Sequence, residues 1–356
     1  MKLPSLSKKV LSIDFGADQI KIIEGQGSKK GINISKAFTV DLPKDVYHNG
    51  EILDQAAIVS SLKTSLKENK VSTNLTYGII NSSSIITREV SIPKVPEKEI
   101  ASIINYQLDN FLPVDPEDYV VNHIVLGINM EEEVEKLDIL LVGVPKKMVL
   151  NHLDLIKEVG LKPEVLDFQS NSMAKLLEFN SMVNDYYTTR DVAVASVDMG
   201  YDSSKLTIIK NGKIEVSRVI DVGAKTVYEN LSSLFDYSYD EREDKVRSIE
   251  DINASSDEFD DYFRMLNITR TTLDNLLEKI EVVFRYYSSR QSLNFVNYIL
   301  LQGGFSNIEG IESLFSNYFN IPTVKLSALD KIKWKGDFSK YANAIGGLIR
   351  NDEVLK

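Results

Sequence analysis

The sequence predicts an α/β protein of two lobes, with a smaller α+β block inserted into the first. Three observations lead there. A stretch occurs twice, V-L-S-I-D-F-G-A-D-Q-I-K at residues 10–21 and V-A-S-V-D-M-G-Y-D-S-S-K at 194–205, half a chain apart. A third element, N-Y-I-L-L-Q-G-G-F-S at 297–306, runs a short apolar strand into paired glycines. Between the repeats, Pro93-Lys94-Val95-Pro96 breaks the chain ahead of an amphipathic helix that Leu112-Pro113-Val114-Asp115-Pro116 stops. Internal repetition at this spacing marks a duplicated, two-lobed architecture.

In each repeat an apolar run reaches an Asp (Asp14, Asp198), turns at a Gly (Gly16, Gly200) and continues as a second run. The runs are Ile20–Glu24 and Lys205–Lys210. Both read as β-hairpins whose tight turn presents backbone N–H groups, with a carboxylate at the mouth. Two such turns face to face would hold a polyphosphate between them. Asp14 and Asp198 would then hold its Mg²⁺ through water, as carboxylates do for this ion. D-x-G alone is ordinary turn chemistry, so the weight lies in the duplication. Gly303 and Gly304, followed by Phe305 and Ser306, would let the backbone approach a flat or charged ligand closely. Gln19 lies within the first turn, and Ser203 and Ser204 within the second, their hydroxyls offered towards phosphate. Lys21 and Lys205 hold the same place in the two repeats. They either reach phosphate or sit on hairpin edges in water.

Composition narrows the class. The chain of 356 residues is long enough for two cores. It is 43% hydrophobic and 26% charged, an ordinary globular balance. A formal charge of −11 argues against nucleic acid and against electrostatic attachment to anionic lipid. No cysteine is present, so disulfide and thiolate chemistry are out. His48, His123 and His152 have no partners at metal-ligand spacing and read as satisfied surface or core residues. No apolar run approaches 18 residues and the start lacks a signal-type core, which predicts a cytoplasmic protein with no direct membrane insertion.

In chain order, Ile32–Val40 reads as a strand and Asp54–Asn69 as an amphipathic helix, with Ile58, Leu62 and Leu66 at i, i+4 spacing. Leu75–Ile80 and Ile85–Ile92 are strands. Glu97–Phe111 is a helix carrying Ile100, Ile103, Ile104, Leu108 and Phe111 on one face, with Glu97 and Glu99 in its first turn. Strands follow near Tyr119–Leu126 and Lys136–Gly143, then a helix at Met148–Val159. Val165-Leu166-Asp167-Phe168-Gln169 enters the helix Ser172–Phe179, and Lys213–Ile220 is a strand before a helix at Val222–Leu234. Asp236–Asp261 holds eleven acidic and three basic residues, either a solvated helix-loop or a recruitment surface for a basic partner. Phe263–Arg290 is a long helix, Ile308–Phe319 a helix, Pro322–Lys325 a strand and Tyr341–Ile349 a short apolar helix.

Phosphate hairpin, second hairpin, then Gly-Gly element is the order of the actin-like ATPase superfamily, which the chain resembles. Within it, P-E-K-E-I-A-S-I-I-N-Y-Q-L-D-N-F-L-P-V-D-P-E-D-Y-V-V-N at 96–122 resembles the PilM family of type IV pilus assembly proteins, related to FtsA. The resemblance implies ATP and Mg²⁺ as ligands and an inserted subdomain. It implies a subdomain layout of 1–80, 81–162 and 163–191 for the first lobe, its insert and the return. Residues 192–222 and 296–330 would form the phosphate-2 and adenosine half, 223–295 its outer subdomain, and 331–356 a return to the first lobe.

The resemblance further implies a scaffold on the inner face of the cell membrane. It would dock the N-terminal cytoplasmic segment of PilN in a groove beside the insert and contact other inner-membrane pilus assembly proteins, self-association remaining open. Tyr106, Leu108, Phe111 and Leu112 are candidates for that groove, or core residues. In relatives a Glu or Gln stands near the attacking water, and Gln169 falls there. An amide orients water but is a poor base, so hydrolysis is expected to be slow at most. Relatives carry paired glycines and a Thr where this chain has Gly223-Ala224 and Tyr228, a departure on the adenine side. The terminal R-N-D-E-V-L-K lacks the basic amphipathic helix that ends FtsA, which argues for docking through a protein. Two other classes stay open: an FtsA-like filament-forming division protein, and a small-molecule kinase of the same superfold.

Overall fold

A computed structural model describes residues 8–112, 114–131, 134–255, 260–291 and 293–350. The first seven residues, Pro113, residues 256–259 of the acidic segment and the terminal residues 351–356 lie outside the described set, and with them the readings of the two chain ends.

Two five-stranded sheets share one plan. In the first, an antiparallel meander of Val10–Asp14, Gln19–Ser28 and Gly31–Asp41 is extended on the other side of Val10–Asp14 by parallel strands Leu75–Ile80 and Lys162–Phe168. In the second, the meander of Ala193–Met199, Ser204–Lys210 and Lys213–Ile220 is extended beyond Ala193–Met199 by parallel strands Tyr298–Gln302 and Thr323–Lys325. The sequence repeat is thus a repeat of pairing. Asp14 stands opposite Lys21 across its hairpin, and Asp198 stands opposite Lys205 in the same register.

The first lobe's outer core gathers Leu11, Ile13, Ile20 and Ile22 of the hairpin with Ile58, Val59 and Leu62 of the helix Gln55–Glu68. Asp54 starts that helix by accepting the Ala57 N–H on its side chain at 3.0 Å. The second lobe's core packs Val197, Leu206 and Leu301 against Leu266, Leu273, Leu276 and Ile280 of the long helix Asp261–Arg290. The described part of the acidic segment is folded. Ser238 and Glu241 form a reciprocal capping box on the helix Tyr239–Arg247, and Val246, Ile249 and Ile252 bury into the same core. A charged stretch with three apolar anchors is therefore a solvated helix held down on one side.

Between the sheets lie the helices Gln169–Phe179 and Phe338–Gly347, whose Met173, Leu177, Phe338 and Ile345 share a core with Val10 and Ile23 of one lobe and Val194 and Leu300 of the other. The second helix comes within backbone distance of its neighbours. A Cβ at Gly346 would stand 2.1 Å from the Ser172 carbonyl oxygen.

The insert is a three-stranded antiparallel sheet, with Val134–Pro145 between Ile86–Pro93 and Tyr119–Glu131. One face carries Ile92, Leu137, Ile139 and Leu141 under Ile100, Ile104, Leu108 and Leu112. The single helix predicted over Glu97–Phe111 is instead Glu97–Tyr106 and Leu108–Phe111, broken at Gln107 with ψ of 12°. The two strands that follow also run longer than predicted.

Candidate functional site

Both repeated strands end at the mouth of a cleft between the sheets, so their carboxylates face each other across it. Asp14, Gly16, Gln19 and Lys21 line one wall, and Asp198, Gly200, Ser203 and Lys205 the other. Gly303, Gly304 and Phe305 close one end, with Gln169 and Asn343 at the floor.

A single amide joins the two lobes here. The Asn343 Nδ2 donates to Asp198 Oδ2 at 2.7 Å and stands 3.4 Å from Asp14 Oδ2. The other Asp14 oxygen accepts from Gln169 Nε2 at 3.0 Å. Burial pushes Asp14 above the usual carboxylate range, opposed by the nearby Lys21 charge and by the two amides. Burial, then the charge of Asp14, pushes Asp198 up to about 6. Two buried carboxylates held close repel, and a cation between them relieves the repulsion.

Positive charge surrounds the pair without neutralising it. Lys205 is buried and makes no hydrogen bond or ion pair among the described residues. Burial, then the charge of Arg218, lowers it to about 8, against the pull of Asp198. Lys21 donates to the Gln19 carbonyl at 3.2 Å. Lys340, on the cleft-lining helix, is lowered by burial and then by Lys21. Two buried acceptors, Asn343 Oδ1 in the cleft and Gln302 Oε1 on the strand beside Asp198, have no partner among the described residues. Such a set fits a polyanion with a hard divalent cation: cationic side chains for phosphate, carboxylates for the metal's water shell, and unsatisfied acceptors.

The glycines differ in what they do. At Gly16 a Cβ would stand 2.6 Å from the Gln19 carbonyl oxygen, and at Gly200 2.7 Å from that of Ser203, the same close turn twice. Gly303 has φ of +88°, and its Cβ would meet Asp198 Oδ1 at 2.4 Å. Gly304 has nothing within 4 Å where its Cβ would point, so it faces open cleft.

Some sequence candidates spend their side chains on the protein itself. Ser204 is fully buried and its hydroxyl donates to the Val222 carbonyl at 2.7 Å, so it supports the hairpin rather than facing a ligand. Ser306 likewise donates to Gly303 O at 2.7 Å, fixing the paired-glycine turn. Phe305 lines the cleft yet roots in the second lobe's core. Gln19 gives its amide to Asp41 at 2.8 Å. Leu108 and Leu112 are buried in the insert's core, so a peptide could not touch them without unpacking it. Phe111 packs partly against that core, and Tyr106 is 90% exposed.

Sequence reasoning missed Asn343 and Tyr47. Asn343 had one signal, an amide amid Ala342, Ala344, Gly346 and Gly347 in an otherwise apolar helix. Tyr47 had none. It lines the cleft beside Phe15, and its hydroxyl lies 3.0 Å from His152 Nε2, whose Nδ1 stands 2.8 Å from the Met148 carbonyl. A carbonyl only accepts, so Nδ1 carries the proton and Nε2 receives the Tyr47 hydroxyl. Burial holds His152 down at about 4, a neutral core imidazole. Beside the cleft Gly223 and Ala224 wrap the second hairpin: Ala224 N–H donates to Gly200 O at 3.1 Å, and Tyr228 lines the cleft.

A twofold-repeated hairpin lobe closed over paired carboxylates is the architecture of an actin-like ATPase, and solved structures of that fold match it. A "PilM-PilN type IV pilus biogenesis complex" superposes at TM-score 0.79 over 97% of this chain and 100% of that one, at 18% identity. MreB5 of Spiroplasma citri bound to ADP gives 0.50 over 95% and 94%, at 15% identity. The cell division protein FtsA of Staphylococcus epidermidis is 19% identical, covering 97% of this chain and 80% of its own length. The family model described as type IV pilus assembly protein PilM matches residues 12–343, and the chain belongs to that family. No helix of the described residues is long and apolar enough to cross a membrane.

Proposed function

We propose that the chain is an ATP-binding scaffold of the inner-membrane assembly complex of the type IV pilus, working at the cytoplasmic face. It would dock the N-terminal segment of PilN, and its two lobes would close on Mg-ATP. The observation that carries this is the pairing of Asp14 and Asp198 from opposite lobes, joined by one Asn343 amide beside Lys205, which makes no hydrogen bond or ion pair among the described residues. Bound Mg-ATP would supply two charges that such a pair needs, a cation for the carboxylates and phosphates for the lysines. The tight Gly16 and Gly200 turns line the two walls where phosphate would sit. Gln169, held by Asp14, can orient a water but cannot take its proton, which supports binding with at most slow turnover. The PilN reading rests on family membership and on the PilM–PilN complex that the fold matches.

Thermal-shift titration tests both halves. Mg-ATP at about a hundredfold its Kd stabilises by about 2.7 kcal/mol. Asp14→Ala is expected to remove that gain, and a synthetic PilN-type N-terminal peptide to add its own. A shift that survives Asp14→Ala would sink the carboxylate assignment. No response to the peptide, with or without nucleotide, would sink the docking role.

A further inference from the structure

Of the two edge strands of the insert's sheet, Tyr119–Glu131 is the one with exposed large apolar side chains. It has no strand paired on its outer side among the described residues. Its register sets which face each side chain occupies. Val125 stands opposite Ile139, Ile128 opposite Leu137 and Met130 opposite Glu135. Ile139 and Leu137 belong to the core beneath the helix Glu97–Tyr106, and cross-strand partners share a face. Val125, Ile128 and Met130 therefore lie on the helix side.

The helix does not reach them: they are 45%, 56% and 64% exposed, while Ile139 is fully buried and Leu137 6% exposed. A register shift between Val125 and Gly127 turns Ile128 and Met130 onto that face and sends polar Asn129 to the other. The opposite face is taken, since Leu140 and Val142 pack into the core shared by the two lobes. What remains is an apolar row along an open sheet edge, a template for strand addition.

Charge selects the occupant. From Ile86 to Pro145 the sequence carries twelve Asp and Glu against four Lys and Arg. Glu97, Glu99, Asp109, Asp115, Glu117 and Asp118 are exposed. Lys94, one of the four cations, is already paired with Glu135 at 2.8 Å. A second copy would bring the same excess of negative charge to the same face and be repelled. We propose that this edge docks a basic, amphipathic extended segment of a partner protein. Its apolar side chains lie beside Val125, Ile128 and Met130, and its Lys and Arg satisfy the insert's acidic field. The site is separate from the nucleotide cleft and does not depend on it.

The probe is an eight-residue peptide of alternating Val and Lys, with an alternating Val and Glu peptide as control. Binding is read by fluorescence anisotropy, and its place by hydrogen exchange of Tyr119–Glu131 amides. The full-length protein is expected to bind the Val–Lys peptide and protect that strand. Ile128→Ser with Met130→Ser is expected to weaken binding at least tenfold, with the Mg-ATP thermal shift unchanged. Glu117→Lys with Asp118→Lys is expected to weaken it less and to flatten its salt dependence. No binding at millimolar peptide, equal binding of the Val–Glu peptide, or binding undiminished in the double serine variant would each overturn the proposal.

Discussion

Asp198→Asn is expected to stabilise the ligand-free protein while abolishing its response to Mg-ATP. Its carboxyl titrates near 6 in the fold against 3.8 in an unfolded chain, because it is buried beside Asp14. The folded state thus binds the proton more tightly, so stability falls as pH rises through that window. At 1.36 kcal/mol per unit, ionising Asp198 at pH 7 costs the fold about 3 kcal/mol. An Asn in its place carries no such cost and keeps an acceptor for the Asn343 amide. Differential scanning calorimetry at pH 7 is expected to show Tm up by a few degrees in the variant. At pH 4.5 wild-type Asp198 is mostly protonated when folded, and the gain shrinks to about 1 kcal/mol. A Tm unchanged or lowered at pH 7, or a gain independent of pH, would refute the repulsion argument.

Four further perturbations separate the roles. Asn343→Asp puts a third carboxylate between two others, and is expected to lower apo stability by more than about 2 kcal/mol at pH 7, read by calorimetry, with partial recovery in Mg²⁺. Gly303→Ala forces a side chain into φ of +88° against Asp198, and a loss of more than about 1 kcal/mol is expected. Gly304→Ala, which meets open cleft, is expected to keep the apo Tm and lose the nucleotide shift. Tyr47→Phe leaves His152 Nε2 buried without its donor, a loss of about 1–3 kcal/mol in the calorimeter with no effect on the peptide probe.

Much of this architecture is legible in the sequence because it is local. A hairpin is written within twelve residues, so V-L-S-I-D-F-G-A-D-Q-I-K and its later copy announce both Asp positions and their register with Lys21 and Lys205. Leu75–Ile80 and Lys213–Ile220 follow from apolar patterning alone. Non-local facts are not written that way. The Asn343 amide meets Asp14 across 329 positions of chain, and only the small residues beside it hint at a close approach. The direction of a hydroxyl is equally silent: Ser203 and Ser204 are adjacent, yet pleating sends Ser204 inward to Val222. Gln107 breaks a helix whose apolar face continues unbroken on either side, so periodicity passes over it.

The proposed closure is consistent with what joins the lobes. Each lobe has a close-packed core of its own. Apart from the core that the two lobes share, the contacts that cross between them are of another kind. At the cleft mouth His48 meets Asp202 at 2.7 Å, and Lys225 spans Asp45 and Asp202 at 3.9 and 4.0 Å. Beside the insert Arg290 holds Glu89 at 2.7 Å. Exposed pairs of this sort contribute about 1 kcal/mol or less each, and water replaces them readily. Deeper in, the Ser170 hydroxyl meets those of Ser217 and Thr207, at 3.0 and 2.9 Å, small groups that can exchange partners as surfaces slide. Those polar contacts thus resist movement little, while the shared core holds the lobes together. If Arg290→Ala leaves the nucleotide shift intact but removes the dependence of PilN-type peptide binding on nucleotide, the Glu89 contact is the link. If that dependence survives, coupling runs through the shared core instead.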